Sequence, residues 1–310
     1  MGLKITLVDV ELGNKKIKIK EELKNKYTKE KIDKIISKTG FKTLHKETSR
    51  SYYDMALTVS QRLIKKINTT PDILIFITQD PNNNIPSKAE KLANDLNFKS
   101  NIFVSTLSMS CSSFPYAIFL INSLFNSSNY KSALIVSSEL YTNHIDIRDL
   151  STKLLFSDGA SATYIKKIKK QNLLSYDFGH EGKNFNKIIL NKNTNKEKKL
   201  YMKGSDVYLF TISQIPKSIN KIKQKGKIKK FDIIFLHQAS KVVVDGIHEK
   251  IGIKENVPNY FDVTGNLVSS SIPLLIKKVM EKGLIKKNMK VCISGFGVGL
   301  SWGTIALEWQ

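Results

Sequence analysis

The chain repeats itself. Residues 72–80 read DILIFITQD and residues 232–240 read DIIFLHQAS, each an aspartate opening an apolar strand that ends in a polar pair. SALIVSSE at 132–139 has its counterpart in MKVCISGF at 289–296, and GASATYIKK at 159–167 in WGTIALEW at 302–309. The pairs occur in the same order at offsets of 160, 157 and 143 residues. The shrinking offset places extra residues in the first half between its second and third matched strands, at 140–156. Helical periodicity fills the intervals: MALTVSQRLIKKI, KAEKLANDLNF and CSSFPYAIFLINSLF in the first half, VYLFTISQIPKSINKIKQ, KVVVDGIHEKIGI and SSSIPLLIKKVMEKG in the second. Strands alternating with helices specify an α/β architecture. Two copies of one such unit predict duplicated halves packed about a pseudo-twofold axis, with a boundary at residues 166–172. Pro115 and Pro273 fall early in the third helix of each half, where a missing N–H is tolerated.

With 310 residues, 41% of them hydrophobic, the chain can bury a substantial core. No apolar run reaches the roughly 18 residues that a membrane-spanning helix needs. The opening MGLKITLVDVELG alternates like a strand and lacks the features of a signal peptide, so no membrane and no export are expected. Only Cys111 and Cys292 are present, which excludes a disulfide framework and fits a reducing cytoplasm. The formal charge of +23 raises the question of nucleic acid. Only three basic residues are arginines (Arg50, Arg62, Arg148), and the lysines are scattered rather than gathered beside aromatics. Lysine dressing of solvated faces, or attraction of an acidic partner, accounts for the charge better than nucleic acid does.

Cys111, in STLSMSCSSFPYAIF, lies between an apolar strand and the start of an apolar helix. The helix dipole and unpaired N–H groups there should lower a thiol pKa and favour a nucleophile, although a buried structural cysteine reads the same way. His237 follows the strand FDIIFL, at a strand end where α/β sites assemble. Asn266, in FDVTGNLVSSSIPLL, precedes the third helix of the second half and by itself reads as a helix cap. Under the repeat Cys111 and Asn266 become equivalent, at an offset of 155 residues. A twofold axis would then bring the two helix starts together beside His237. Two glycine-rich turns, FSDGASA at 156–162 and GFGVGLSWG at 295–303, can direct backbone N–H groups inward, as an oxyanion hole requires. The second is not a dinucleotide loop, since no helix and ribose-binding acid follow it.

These residues resemble the thiolase superfamily and, within it, ketoacyl-acyl-carrier-protein synthase III. The similarity runs nearly end to end through the Cys111 segment, FSDGASA, HQAS from His237, GNLVSSSIP from Gly265 to Pro273, and the closing GFGVGLSWG. It implies a thiolase-like fold of duplicated βαβαβαββ halves, 1–168 and 169–310, in five layers (αβαβα), and a homodimer. It also implies an acyl-Cys111 intermediate, an oxyanion hole from the N–H groups of Cys111 and Val298, and decarboxylative condensation aided by His237 and Asn266. Phe296 would gate the nucleophile and Ile85 would reach the partner's acyl pocket. The substrates would be acyl and malonyl thioesters of coenzyme A or acyl carrier protein, with no metal and no permanently bound cofactor. A hydroxymethylglutaryl-type synthase would need a catalytic glutamate, for which TQDPNN offers no candidate.

The chain departs from the family at the donor site. Lys34 and Lys38 stand where the family offers a tryptophan and an arginine to clamp adenine. Val242 replaces a basic residue, although Lys241 adjoins it, and Val298 stands where glycine is common. These lysines suit contact with a carrier protein or its phosphopantetheine, which makes a specialised synthase fed by a carrier protein a competitor to the housekeeping primer. Acyl transfer from Cys111 to an alcohol or amine acceptor without decarboxylation is the alternative activity. A non-catalytic partner subunit is disfavoured by the intact cysteine, histidine and asparagine.

Overall fold

A computed structural model describes residues 1–81, 85–192, 198–252 and 256–310. From the N-terminus run β1 (Gly2–Leu12), β2 (Lys15–Lys18), α1 (Ile19–Leu23), α2 (Lys29–Thr39), β3 (Thr43–Lys46), α3 (Tyr52–Ile67) and β4 (Ile73–Ile77). Then come α4 (Ala89–Asp95), β5 (Phe103–Leu107), α5 (Ser113–Ser127), β6 (Ser132–Glu139), α6 (Leu150–Lys153) and β7 (Gly159–Ile168). The rest of the chain supplies β8 (Leu173–His180), β9 (Ile188–Lys192), β10 (Lys198–Met202), α7 (Gly204–Lys225), β11 (Ile233–Leu236), α8 (Lys241–Ile251), α9 (Ser271–Glu281), β12 (Lys290–Gly297) and β13 (Ser301–Glu308).

Two sheets carry the repeat. The first has the order β1-β7-β6-β4-β5, the second β11-β12-β13-β8. Parallel β4 and β6 correspond to parallel β11 and β12, and antiparallel β7 and β1 correspond to β13 and β8. Among the described residues the second half reduces the counterpart of β5 to one bridge, between Asn256 and Ile233. The insertion expected at 140–156 is present, since residues 140–158 join β6 to β7 whereas only 298–300 join β12 to β13.

Side-chain alternation along the strands creates the layers. Ile73, Ile75 and Ile77 of β4 and Ile233 and Phe235 of β11 face a shared core with α5 and α9 between the sheets. Leu74 and Phe76 point the other way, onto α3 and α4. Ile234, Leu236 and Cys292 point outward onto α7 and α8. The result is the five-layer thiolase-like fold. Among the described residues no helix is long and apolar enough to cross a membrane.

The two buried helices start alike, and their geometry corrects the equivalence read from sequence. Each follows a single 3-10 turn, Ser110–Ser112 before α5 and Val268–Ser270 before α9. Ser110 (φ 48°) and Val268 (φ 53°) both occupy the left-handed region, which is uncommon for a serine and a marked outlier for a β-branched residue. Their separation of 158 residues is also that of Pro115 and Pro273. The counterpart of Cys111 is therefore Ser269, and Asn266 lies three residues earlier, in the approach to the turn. Matching Cys111 with Asn266 fails because the glycine-led approach GNLV is counted into the helix.

Candidate active site

Cys111 is 7% exposed at the centre of its 3-10 turn, held by close contact with β12. A Cβ on Gly295 would lie 2.3 Å from the Cys111 carbonyl oxygen and 3.0 Å from Ser112 Cα. One on Gly297 would lie 3.2 Å from Cys111 Sγ. Glycine is thus required at both positions for strand and turn to meet. Ser112 Oγ donates to the Met109 carbonyl at 2.8 Å and lies 2.8 Å from Ser301 Oγ, which donates to the Val298 carbonyl at 2.7 Å. This chain of contacts ties the turn to the loop carrying Val298.

His237 extends the ladder past β11, its backbone N–H donating to the Ser294 carbonyl of β12 at 2.9 Å. Its ring meets Phe296 edge-on, with centroids 5.5 Å apart. Asn266 is held by the FSDG turn: its N–H donates to the Leu155 carbonyl at 2.8 Å and its carbonyl accepts from Ser157 N–H at 2.9 Å. The Asp158 N–H donates to the His45 carbonyl, and the Asp158 carboxylate accepts from Glu47 and Thr142. The N–H groups of Ser157 and Asp158 are therefore spent within the protein. This turn is a scaffold for Asn266, not the source of oxyanion donors suggested by its glycine.

The Asn266 side chain has a fixed sense. Oδ1 accepts from Val268 N–H at 2.8 Å and from Ser271 Oγ at 3.4 Å. The amide therefore keeps Nδ2–H for the cavity, as a donor. Burial lowers His237 to about 3, so the imidazole is neutral and offers at most one N–H. Its Nδ1 is buried without a hydrogen-bond partner.

The Cys111 thiol departs from expectation. Burial pushes it up to about 12, with the Glu139 carboxylate adding to the rise and the Ser110 hydroxyl opposing it. Desolvation outweighs what the turn's N–H groups provide, so the resting group is a thiol. Glu139, at the end of β6, is the acid that sequence reasoning missed. Burial raises it to about 8, and its carboxylate accepts from Gln79 N–H at 3.2–3.3 Å and Ser269 Oγ at 3.3 Å. The glutamate that ends SALIVSSE gave no sign of reaching the site, because its proximity comes from the packing of β6 against the turn before α9.

A cavity of about 610 Å³ is bordered by Cys111, His237 and Asn266 together with Phe296, Val298, Val242 and Lys38. A second, of about 390 Å³, is bordered by the polar residues Gln79, Asp80, Glu139 and His144 and by the apolar residues Phe185, Ile189, Leu190 and Leu200. Lys38 is exposed at the edge of the larger cavity. Lys241 packs its Cβ near Gly40, pairs with Asp245, and borders a separate surface groove. Lys34 is exposed one turn before Lys38. Ile85 is 98% exposed. Among the described residues no cluster of three or more His, Cys, Asp or Glu could hold a metal ion.

Duplicated halves of this topology, each with a buried helix running from a strained turn between two sheets, place the molecule in the thiolase superfamily. Comparison with known proteins narrows the class. The family described as 3-Oxoacyl-[acyl-carrier-protein (ACP)] synthase III matches residues 106–182, and its C-terminal counterpart matches 222–309. The Beta-ketoacyl-[acyl-carrier-protein] synthase III of Streptococcus agalactiae serotype III is 31% identical over 292 residues, covering 89% of this chain and 90% of that protein. The enzyme of the same name from Oceanobacillus iheyensis is 30% identical over 264 residues, 83% of each chain. A solved 3-oxoacyl-(acyl carrier protein) synthase III from Pseudomonas aeruginosa shares the fold over 100% of this chain and 98% of its own, with TM-score 0.90 at 22% identity. This chain belongs to the 3-oxoacyl-[acyl-carrier-protein] synthase III family of acyltransferases.

Proposed function

We propose that the protein joins an acyl thioester to a malonyl-carrier protein by decarboxylative Claisen condensation through an acyl-Cys111 intermediate. Cys111 Sγ attacks the acyl carbonyl while the N–H groups of Cys111 and Val298 stabilise the oxyanion. The donor's C–S bond breaks, and the thiol proton ends on the departing pantetheine sulfur. A malonyl thioester follows, its carbonyl oxygen accepting from the His237 ring and Asn266 Nδ2. The C–CO₂ bond breaks, carbon dioxide leaves, and the enolate carbon attacks the acyl-Cys111 carbonyl. The S–C bond to Cys111 then breaks, the 3-oxoacyl thioester departs, and Cys111 regains a proton.

The observation that carries this reading is the donor-only presentation of Asn266 beside a neutral His237. Transfer to an alcohol or amine would need a base to take the acceptor's proton, and an imidazole lowered to about 3 is a poor one. Decarboxylation generates its carbon nucleophile without a base. We read residues 1–168 and 169–310 as the two halves, with Lys34, Lys38 and Lys241 on the side met by a carrier protein. Exposed Ile85 suits insertion into a second copy's acyl pocket, making a homodimer, and Phe296 steadies His237 at the gate.

Asn266→Ala tests the reading by separating the half-reactions. Acyl labelling of Cys111 should largely survive, while carbon dioxide release falls about a hundredfold, the scale for loss of one oxyanion donor. An equal fall in both steps would reduce Asn266 to a structural prop.

A further inference from the structure

The edge of the second sheet that lies away from Cys111 carries charge of one sign. β11 and β12 run parallel, β13 returns beside β12 with Glu308 opposite Lys290, and β8 starts opposite the end of β13. His237 and Gly297 therefore lie at one edge, and residues 223–232 and 282–290 meet at the other. There the two segments are tied. The Asp232 N–H donates to the Lys290 carbonyl and the Lys290 N–H to the Asp232 carboxylate, both at 2.7 Å. α7 reaches this face from Gly204 on the cavity wall, a length of about 33 Å for 22 helical residues.

Nine of the 17 residues 223–230 and 282–290 are lysine and none is acidic, against 47 lysines in the 310 residues of the chain. Even dressing of the surface would not concentrate them so. Buried Ile228 and Phe231 pin the first segment and half-buried Ile285 and Met289 the second. Lys225, Lys227, Lys229, Lys230, Lys286 and Lys287 stand exposed between these anchors. Among the described residues none of the six is in an ion pair, and the nearby acids are committed elsewhere, Asp232 to the Lys290 N–H and Glu308 to Lys170 and Lys290. Leu284, 50% exposed, lies in the second segment.

We infer that this lysine face docks the enzyme on an anionic membrane surface. Lipid phosphates fit it better than nucleic acid does, since the six lysines come without an arginine fork or an exposed aromatic ring to stack on a base. A carrier protein bound here would sit at the wrong end of α7 to deliver its thioester to Cys111. Leu284 adds an apolar contact at headgroup depth. Docking of this kind needs no membrane-spanning helix, so the expectation of no membrane, drawn from the lack of one, does not bear on it. The inference goes beyond the condensation chemistry and does not depend on it.

The test is sedimentation of the full chain with vesicles of equal parts phosphatidylglycerol and phosphatidylcholine, and with vesicles of phosphatidylcholine alone. Binding should require phosphatidylglycerol and fall as salt is raised. Each lysine near such a surface is worth about fivefold, so Lys227→Gln, Lys229→Gln and Lys230→Gln together should weaken binding about a hundredfold. Removing the same charge near α2, with Lys24→Gln, Lys26→Gln and Lys29→Gln, should cost far less. No binding to the phosphatidylglycerol vesicles, equal losses from the two triple variants, or tighter binding to duplex DNA at the same salt overturns the inference. So does a fall in carrier-protein labelling of Cys111 confined to the first triple variant, which would assign the face to the carrier.

Discussion

The nucleophile and two buried titratable groups near it, His237 and Glu139, each occupy an environment that favours the neutral form. His237 is lowered to about 3, Glu139 is raised to about 8, and Cys111 is raised to about 12. A thiol in that state should alkylate slowly. The iodoacetamide rate at Cys111 should still climb about tenfold per pH unit near pH 10, where the thiolate remains a minority. A plateau below pH 8 would show that the turn's N–H groups win after all. Glu139 leaves a separate mark on stability. Between its ordinary value of 4.5 and about 8, the folded chain holds a proton that the unfolded chain has released, so Glu139 lowers stability as pH rises through that window. His237 acts in the opposite sense below 6.5, where the unfolded chain binds the proton. Glu139→Gln should therefore gain stability over wild type between pH 5 and pH 8, measured as the shift in urea midpoint. An unchanged shift across that range would mean that Glu139 is already ionised.

At the scale of elements, the site depends on β12 pressing against the turn before α5. Gly295→Ala puts a Cβ 2.3 Å from a backbone carbonyl, which no rotamer change relieves. It should cost about 3 kcal/mol, toward the upper end for overpacking, and reduce acylation of Cys111 as the turn is displaced. Gly204→Ala, with nothing within 4 Å of the added carbon, is the control and should leave the denaturation midpoint nearly unchanged. Equal midpoints for the two variants would show that β12 and the turn are free to separate. The turn before α9 uses the same left-handed entry, stabilised by Asn266 Oδ1 on the Val268 N–H. Asn266 thus props its own turn while presenting its amide to the cavity, which explains why sequence alone left it between a cap and a site residue.

For the whole molecule, the charge of +23 acts at long range, over about 8 Å at physiological salt. Lys38 borders the substrate cavity, whereas Lys241 is paired with Asp245 and borders a different groove. Lys38 therefore has the stronger claim to meet a carrier protein's acidic surface. Acyl-carrier protein should acylate Cys111 faster than the matching acyl-coenzyme A, at a rate that falls as salt rises. Lys38→Glu should lower the carrier-protein rate more than the coenzyme A rate. Equal, salt-insensitive rates from both donors would leave the lysines as surface dressing.

Periodicity is a local property and the repeat is written in the chain, so the sequence by itself determined the matched strands and the three helices of each half, their order, and the insertion after β6. Cys111, His237 and Asn266 were legible because their motifs sit at strand and helix junctions, which a duplicated α/β chain brings toward its axis. Other features depended on which side chains meet across 60 to 130 residues of chain, and only the tertiary structure decided them. Glu139 ends an apolar strand like any other, and its carboxylate becomes part of the site only because Ser269 and Gln79 close over it. The pairing of Cys111 with Ser269 agrees with the spacing of Pro115 and Pro273, but the left-handed turns were needed to show that Asn266 lies outside the helix start. The thiol's rise opposed the helix-start argument because burial is a property of the packed molecule. A helix terminus favours the thiolate from within the chain, but the surrounding layers remove the water that would have stabilised the charge.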